Sequence, residues 1–212
     1  VYSEKAARLL RGELMMRWCE GVLKRKASER VVSVKVDGVV LVSVYMPVWS
    51  AGREEEIEEV KEEVVVQAGW AGDEELLVIG GDWNAHVGSD NVREGVCGKF
   101  GLRTSNAVGG RFMEWLGENG WCWVNSFFNH KRRGTWFSHI HRQWYELDGF
   151  VMREAQRHRH AKRIRTIGEL AVSDHKPKWL LVQMKKKWRR VYEARRVPDV
   201  KWEALKNEVV AE

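Results

Sequence analysis

The chain has 212 residues, 44% apolar and 31% charged, with a formal net charge of +6. That balance describes one globular domain with a sizeable core, not a disordered chain or two small domains. No stretch approaches the roughly 20 uninterrupted apolar residues that a membrane helix needs, and the opening Val1-Tyr2-Ser3-Glu4 lacks a basic segment followed by an apolar run.

Residues 3–19 have apolar side chains at mixed spacing and read as a short helix or a loop. From Val31 the pattern sharpens. Val32, Val34 and Val36 alternate with Ser33 and Lys35, Asp37-Gly38 intervenes, and residues 39–46 are nearly all apolar. Asp-Gly between two β-branched runs predicts a tight hairpin. The second strand is apolar on both faces, which predicts a central position in a sheet covered on both sides. Residues 54–68 read as a helix, with Ile57, Val60 and Val64 on one stripe and acidic residues in the first turns, where the helix dipole favours them. Residues 76–79 form a short buried strand ending in Gly80-Gly81. Residues 111–118 make a second helix, with Gly120 as its C-cap. Short strands are expected at 121–125, 135–138, 146–152 and 179–184. Strands therefore outnumber helices, and a mixed sheet or sandwich is favoured over a doubly wound parallel sheet. The tail is different: residues 185–196 are a basic run and 197–212 a polar helical segment, read as a linker following one domain over residues 1–184.

Three cysteines, Cys19, Cys97 and Cys122, lie far apart and form no C-x-x-C pair, which argues for a reducing, intracellular setting over a disulfide framework or a structural zinc site. The basic balance, with a sequence pI near 9.3, fits a polyanionic partner such as nucleic acid. Most of the 12 tryptophans are expected in the core.

Three short segments carry candidate chemistry, each at or just after a predicted strand end. In Ile79-Gly80-Gly81-Asp82-Trp83-Asn84, the glycines turn the chain off a buried strand, and a carboxylate and an amide follow two residues apart. Such an Asp can orient or deprotonate a water; the same residues also mark an ordinary Asx turn. In Leu147-Asp148-Gly149-Phe150-Val151, an acid interrupts an apolar strand. It is either paired, if buried, or an edge residue facing water. In Ser173-Asp174-His175-Lys176-Pro177, an adjacent carboxylate and imidazole could serve a hard metal ion and proton transfer. Each alone is weak.

Their order and strand context are specific. A buried strand with G-D-x-N, a later strand with Asp, then S-D-H before a Pro and an apolar strand resemble the endonuclease/exonuclease/phosphatase superfamily. Val42-Ser43-Val44-Tyr45-Met46-Pro47 is similar to its strand ending in Tyr-x-Pro, and Gly134-Thr135-Trp136-Phe137-Ser138 to its Thr-Trp segment. The resemblance runs from about Val31 to Val182. It is nearest to endonucleases of LINE-type retrotransposons and the craniofacial-development-protein-2-like sequences, through Ser3-Glu4-Lys5-Ala6-Ala7, residues 106–111, Asn125-Ser126-Phe127-Phe128 and residues 135–151. The tail is similar to the start of a connector to a reverse transcriptase.

The resemblance implies a four-layer α/β sandwich, two mixed sheets flanked by helices. It also implies Mg²⁺- or Mn²⁺-dependent hydrolysis of a phosphodiester in DNA, with DNA or RNA as the partner and no membrane, in an intracellular, nuclear setting without secretion. Asp82 would activate the attacking water, with Asn84 beside it. Tyr45 would contact the scissile phosphate. Asp148 would orient His175, which stabilises charge on the phosphoryl oxygens. Asp174, Asp82 and Asn84 would hold or position the metal, and Thr135 would bond a phosphate oxygen. Within the basic stretches, Arg132, Arg133, Arg157 and Arg159 are candidate contacts to a nucleic-acid backbone; a solvated surface is the alternative.

The family pattern begins with two strands, one carrying an Asn and one a metal-binding Glu, that have no counterpart in this sequence. Glu13, Glu20 and Glu29 lack the right context. The expectation is therefore a chain without the first strands, with weakened metal affinity and activity. Two other functions compete with the nuclease: a non-catalytic nucleic-acid-binding remnant, and a phosphatase of inositol-phosphate type.

Overall fold

A computed structural model of the chain describes residues 22–36, 38–168 and 173–184. The expected opening helix or loop, Asp37 of the hairpin turn and the tail from residue 185 lie outside the described residues.

The valine-rich hairpin forms as its turn residues predict. Strands β1 (Val22–Ala27), β2 (Val31–Val36) and β3 (Val39–Tyr45) pair antiparallel in order, with Val36 opposite Val39 across the Asp-Gly turn. Gly38 takes the positive φ of 79° that such a turn demands. Strand β1 was not expected, because Lys24, Arg25 and Lys26 break any apolar alternation. A helix, α1 (Glu54–Ala68), then carries the chain over the sheet. It has Glu54, Glu55 and Glu56 in its first turn and buries Ile57, Val60 and Val64. This crossover lets β4 (Leu76–Asp82) lie parallel to β3.

The six-stranded sheet is completed by β5 (Trp121–Trp123) and β8 (Asp148–Arg153), giving the order β1-β2-β3-β4-β8-β5. It is mixed, with β3 and β4 the parallel pair and the other neighbours antiparallel. Helix α2 (Ala107–Glu118) starts four residues earlier than its periodicity predicts. Gly109 and Gly110 mask its first turn in the sequence, but Asn106 caps it by accepting the Gly109 N–H at 2.7 Å. Asn119 is its C-cap and Gly120, at φ 66°, follows in the left-handed region. The strand expected over 121–125 gives way after Trp123 to a 3₁₀ turn, Val124–Phe127.

Period-2 alternation divides the sheet into two faces. Val40, Val42, Val44, Leu77, Ile79 and Val151 pack against α1 and α2 in the larger apolar cluster. Val39, Leu76, Val78 and Met152 point the other way and join Cys122, Val124 and Ala161 in a second cluster, against which Leu180 and Val182 pack. That second face is covered by a two-stranded sheet, β9 (Ala161–Thr166) with β10 (Lys178–Val182). A further hairpin, β6 (Trp136–Ser138) with β7 (Gln143–Tyr145), stands beside it. The basic stretch after Arg153 is regular structure. It forms α3 (Glu154–His160) and then β9. The arrangement is α/β, with helices on one face of a mixed sheet and a second sheet on the other. Among the described residues no helix is long and apolar enough to cross a membrane.

Candidate active site

The same alternation that sorts the core also gathers the acids. Counting along β3, β4 and β8, Tyr45, Asp82 and Asp148 share the face that carries Val39, Val78 and Met152, at the end of the sheet where β3 and β4 terminate. Tyr45 is in register with Asp82, and Asp82 with Asp148. Gly81 makes this approach possible, because a Cβ there would lie 1.9 Å from the Val44 carbonyl oxygen. Gly149 is equally constrained: its Cβ would fall 2.2 Å from Asn125 Nδ2 and 2.3 Å from the Trp123 ring. Trp83, buried against Phe112, donates from Nε1 to the Gly149 carbonyl at 3.3 Å and fixes the turn after Asp82.

His175 enters from the segment before β10. Its Nδ1 bonds to Asp148 Oδ2 at 2.9 Å. Asp82, Asp148 and His175 each offer a ligand atom, and these atoms lie within 4.8 Å of one another. They open into a cleft of about 460 Å³ lined by Ser43, Gly80, Lys176 and Lys178 besides the three. Burial pushes the Asp82 carboxyl up to about 6, its bond from the Asn84 N–H opposing and the Asp148 charge adding to the rise. The bond to Asp148 raises the pKa of His175 above its usual value, outweighing burial, with Asp82 and Asp174 adding to the attraction. With His175 bonded to Asp148, the two carboxylates are the donors that could serve a divalent ion as a partial ligand set, to be completed by solvent or substrate oxygens.

The remaining expected residues fall into distinct places. Asp174 is exposed and accepts from Trp136 Nε1 at 3.2 Å, beside the cluster and outside it. Asn84 takes a positive φ of 48°, tolerated by an Asn. Its Nδ2 donates to the Met46 carbonyl at 2.7 Å, which ties the end of β3 to the end of β4. Tyr45 is 53% exposed, with the Arg30 guanidinium 5.5 Å over its ring.

Two expectations need correction. Thr135 was expected to reach a phosphate, but it is fully buried. Its Oγ1 accepts the N–H groups of Leu147 at 3.0 Å and Asp148 at 3.2 Å, and its carbonyl accepts Lys176 N–H at 2.7 Å. It thereby clamps the backbone on both halves of the Asp148–His175 pair. Arg133 was expected to contact a nucleic-acid backbone, but it is buried. It donates to Glu146 Oε2 and to the carbonyls of Phe128, Phe100 and Asn125. Arg132 is exposed. Arg157 and Arg159 lie on α3, beyond the far end of β8 and so roughly 17 Å or more along the strand from Asp148. Arg157 stacks at 3.6 Å over Phe127, and Arg159 is exposed.

Asn125, to which no motif assigned a role, supports the site. Its Nδ2 donates to the Asp148 carbonyl at 3.0 Å, and its Oδ1 accepts the Phe150 N–H at 3.1 Å. Glu146 and Lys178, an ion pair beneath the cleft, were likewise passed over. An E-x-D and a Lys after Pro are too common to signal burial. Only the charge-within-apolar context of residues 146–152 could have raised the question.

No protein-family model matches the chain. It is 30% identical over 136 residues to craniofacial development protein 2 of Bos taurus, a match covering 61% of this chain and 23% of that protein. The chain thus spans about a quarter of the length of that curated relative. Among solved structures, it is similar to the 3′-5′ exonuclease NExo from Neisseria meningitidis, with a TM-score of 0.53 and 17% identity over 73% of this chain and 65% of that one. A Neisseria 3′ phosphatase bound to a product DNA hairpin matches with a TM-score of 0.53 and 16% identity, covering 75% and 66% of the two chains. In sequence the chain resembles craniofacial development protein 2, and its fold is that of the endonuclease/exonuclease/phosphatase superfamily.

Proposed function

We propose that the chain is a metal-assisted phosphodiesterase of nucleic acid, an endonuclease of the retrotransposon type acting on DNA in an intracellular, nuclear setting. The observation that carries this reading is the Asp82–Asp148–His175 cluster at the end of the sheet, facing a cleft of about 460 Å³. Asp82, with its carboxyl lifted to about 6, is poised to take a proton from an attacking water near neutral pH. His175, whose charged form the bond to Asp148 favours, would face the charge developing on the phosphoryl oxygens. Tyr45, exposed and in register with Asp82, is the candidate contact to the scissile phosphate. Asp82 is the oxygen donor that the cluster would offer a hard divalent ion such as Mg²⁺ or Mn²⁺, with Asp174 beside the cluster as a further carboxylate to position it; the ion when bound would neutralise the phosphate and the departing oxygen. The exposed Arg132 supplies positive charge for the polyanion.

A second reading, a nucleic-acid binder without catalysis, draws on the sparse ligand set, since this is the one three-residue His, Cys, Asp and Glu group among the described residues. Nicking of supercoiled plasmid separates the two. The enzyme reading expects nicks with Mg²⁺, none in EDTA, and a loss of about 10²–10³-fold or more in an Asp174→Ala/His175→Ala variant. A folded wild-type chain that binds plasmid equally in Mg²⁺ and EDTA, and never nicks it, would leave only the binding reading.

A further inference from the structure

Beneath the cleft lies a buried charge cluster that the reaction above does not use. Glu146 is fully buried and precedes Asp148 by two residues. Its Oε2 accepts from Arg133 Nε at 3.1 Å, and its Oε1 accepts from Asn125 Nδ2 at 2.9 Å and from Lys178 Nζ. The Arg133 and Lys178 side chains are 8% and 2% exposed. Lys178 is the first residue of β10, three residues after His175, and its ammonium also reaches the Arg133 carbonyl at 3.3 Å. A single carboxylate therefore ties the strand that carries Asp148 to the segment that carries His175.

As a stability device this cluster is poorly chosen. Three ions taken from water lose hydration that their mutual attraction only partly returns, and well-packed apolar side chains of the same volume serve stability as well or better. Ion pairs and their hydrogen bonds instead fix direction and distance. At the site they add to the Thr135 bonds that hold the backbone of Leu147, Asp148 and Lys176. Asp148 belongs to the six-stranded sheet, whereas His175 precedes a strand of the separate two-stranded sheet. No ladder of backbone hydrogen bonds joins β8 to β10, so their relative placement rests on side-chain and loop contacts. Among these the Lys176 N–H to Thr135 carbonyl bond and the Lys178–Glu146 pair flank His175 on its C-terminal side.

We propose that Glu146 and Lys178 are positioning residues, whose buried ion pair pins the start of β10 to β8 and so sets the approach of His175 to Asp148. The assignment rests on the hydrolytic reading of the cleft, yet the geometry it concerns is measurable without activity.

The deciding variant is Lys178→Met, which keeps the length of the side chain and leaves Glu146 neutralised by Arg133. The readout is the His175 ring in ¹⁵N-labelled full-length chain, where the Nδ1–H bonded to Asp148 gives its own resonance, recorded in EDTA. A Val64→Ala variant, in the helix-side core, serves as a control for lowered stability alone. Positioning expects the His175 resonance to shift or broaden in Lys178→Met and to stay in place in Val64→Ala. It also expects kcat for plasmid nicking to fall about 10- to 100-fold with KM within about twofold, as a displaced catalytic group requires. An unmoved His175 resonance in a folded Lys178→Met overturns the proposal, whether or not the chain nicks DNA. Failure of the wild type to nick, with the His175 resonance responding as expected, overturns the nuclease reading and leaves the positioning role standing. Should Lys178→Met unfold, an Arg133→Met/Glu146→Leu/Lys178→Met triple variant decides by the same resonance. Collapse of both would make the cluster a determinant of folding and overturn a role specific to the site.

Discussion

On the helix side of the six-stranded sheet, Val40, Val42, Val44, Leu77 and Ile79 meet Phe112, Met113, Trp115 and Leu116 of α2 and Ile57, Val60 and Val64 of α1, with the Phe112 ring stacked on Trp115 and edge-on to Trp123. On the other side, the same strands offer Ser43, Tyr45, Asp82 and Asp148 at one end, over a buried Glu146 with two cations. Consecutive residues of one strand thus serve opposite ends, because a β-strand points its side chains alternately to the two faces. The apolar face can tolerate a change of shape at a cost in stability alone. The polar face depends on each charge keeping its partner, so a change there alters both stability and the site.

The comparison is broken most severely at Glu146. Glu146→Leu strands Arg133 and Lys178 as buried, uncompensated cations and should cost about 3–5 kcal/mol in urea unfolding at neutral pH. A loss within the range of an ordinary surface substitution would show that solvent reaches the cluster. The matching change on the apolar face, Leu116→Ala, empties a fully buried position. It should cost about 2–5 kcal/mol, while the His175 ring resonance stays at its wild-type position. Movement of that resonance would show that the two faces are coupled.

A sharper contrast comes from Asp82, where site and stability should oppose each other. An acid usually has a lowered folded pKa, but the Asp82 carboxyl is raised from 3.8 to about 6. The folded state therefore disfavours its charge, and stability is lost as pH rises from about 4 to about 6. The shift of about two units corresponds to about 3 kcal/mol at neutral pH. In EDTA, Asp82→Asn should recover a gain of that order at pH 7 and almost none at pH 3.5, while abolishing nicking. A thermal scan at the two pH values checks the sign; equal stability changes at both would show that the carboxyl titrates normally. The smallest effect is expected at the edge of the apolar face. Asn106→Ala removes the α2 cap and should cost about 1 kcal/mol, read by the same scan, with the cleft unchanged.

How far the sequence carries can be argued element by element. The Val32–Val36 alternation, the Asp-Gly turn and the Glu-rich start of α1 each express a local rule, and each element formed as expected. Asp82, Asp148 and His175 stood out by their positions after strand runs, and the structure brings all three together. Basic residues misled where charge was taken as a sign of exposure. Arg133 is inside, and residues 154–166 are a helix and a strand whose alternation the arginines and lysines obscure.

By itself, the sequence determined the strand and helix periods and the tight hairpin, because these depend on residues close together along the chain; the acids and the histidine of the cleft were marked only by the order of three distant segments and the resemblance it carries. The tertiary structure alone decided that Thr135 and Asn125 grip the Asp148 backbone, that Asp174 turns to Trp136, and that Glu146 pairs with Lys178 from 32 residues away. Those choices depend on which segments share one low-dielectric interior, where a polar group must find whichever partner the fold brings near.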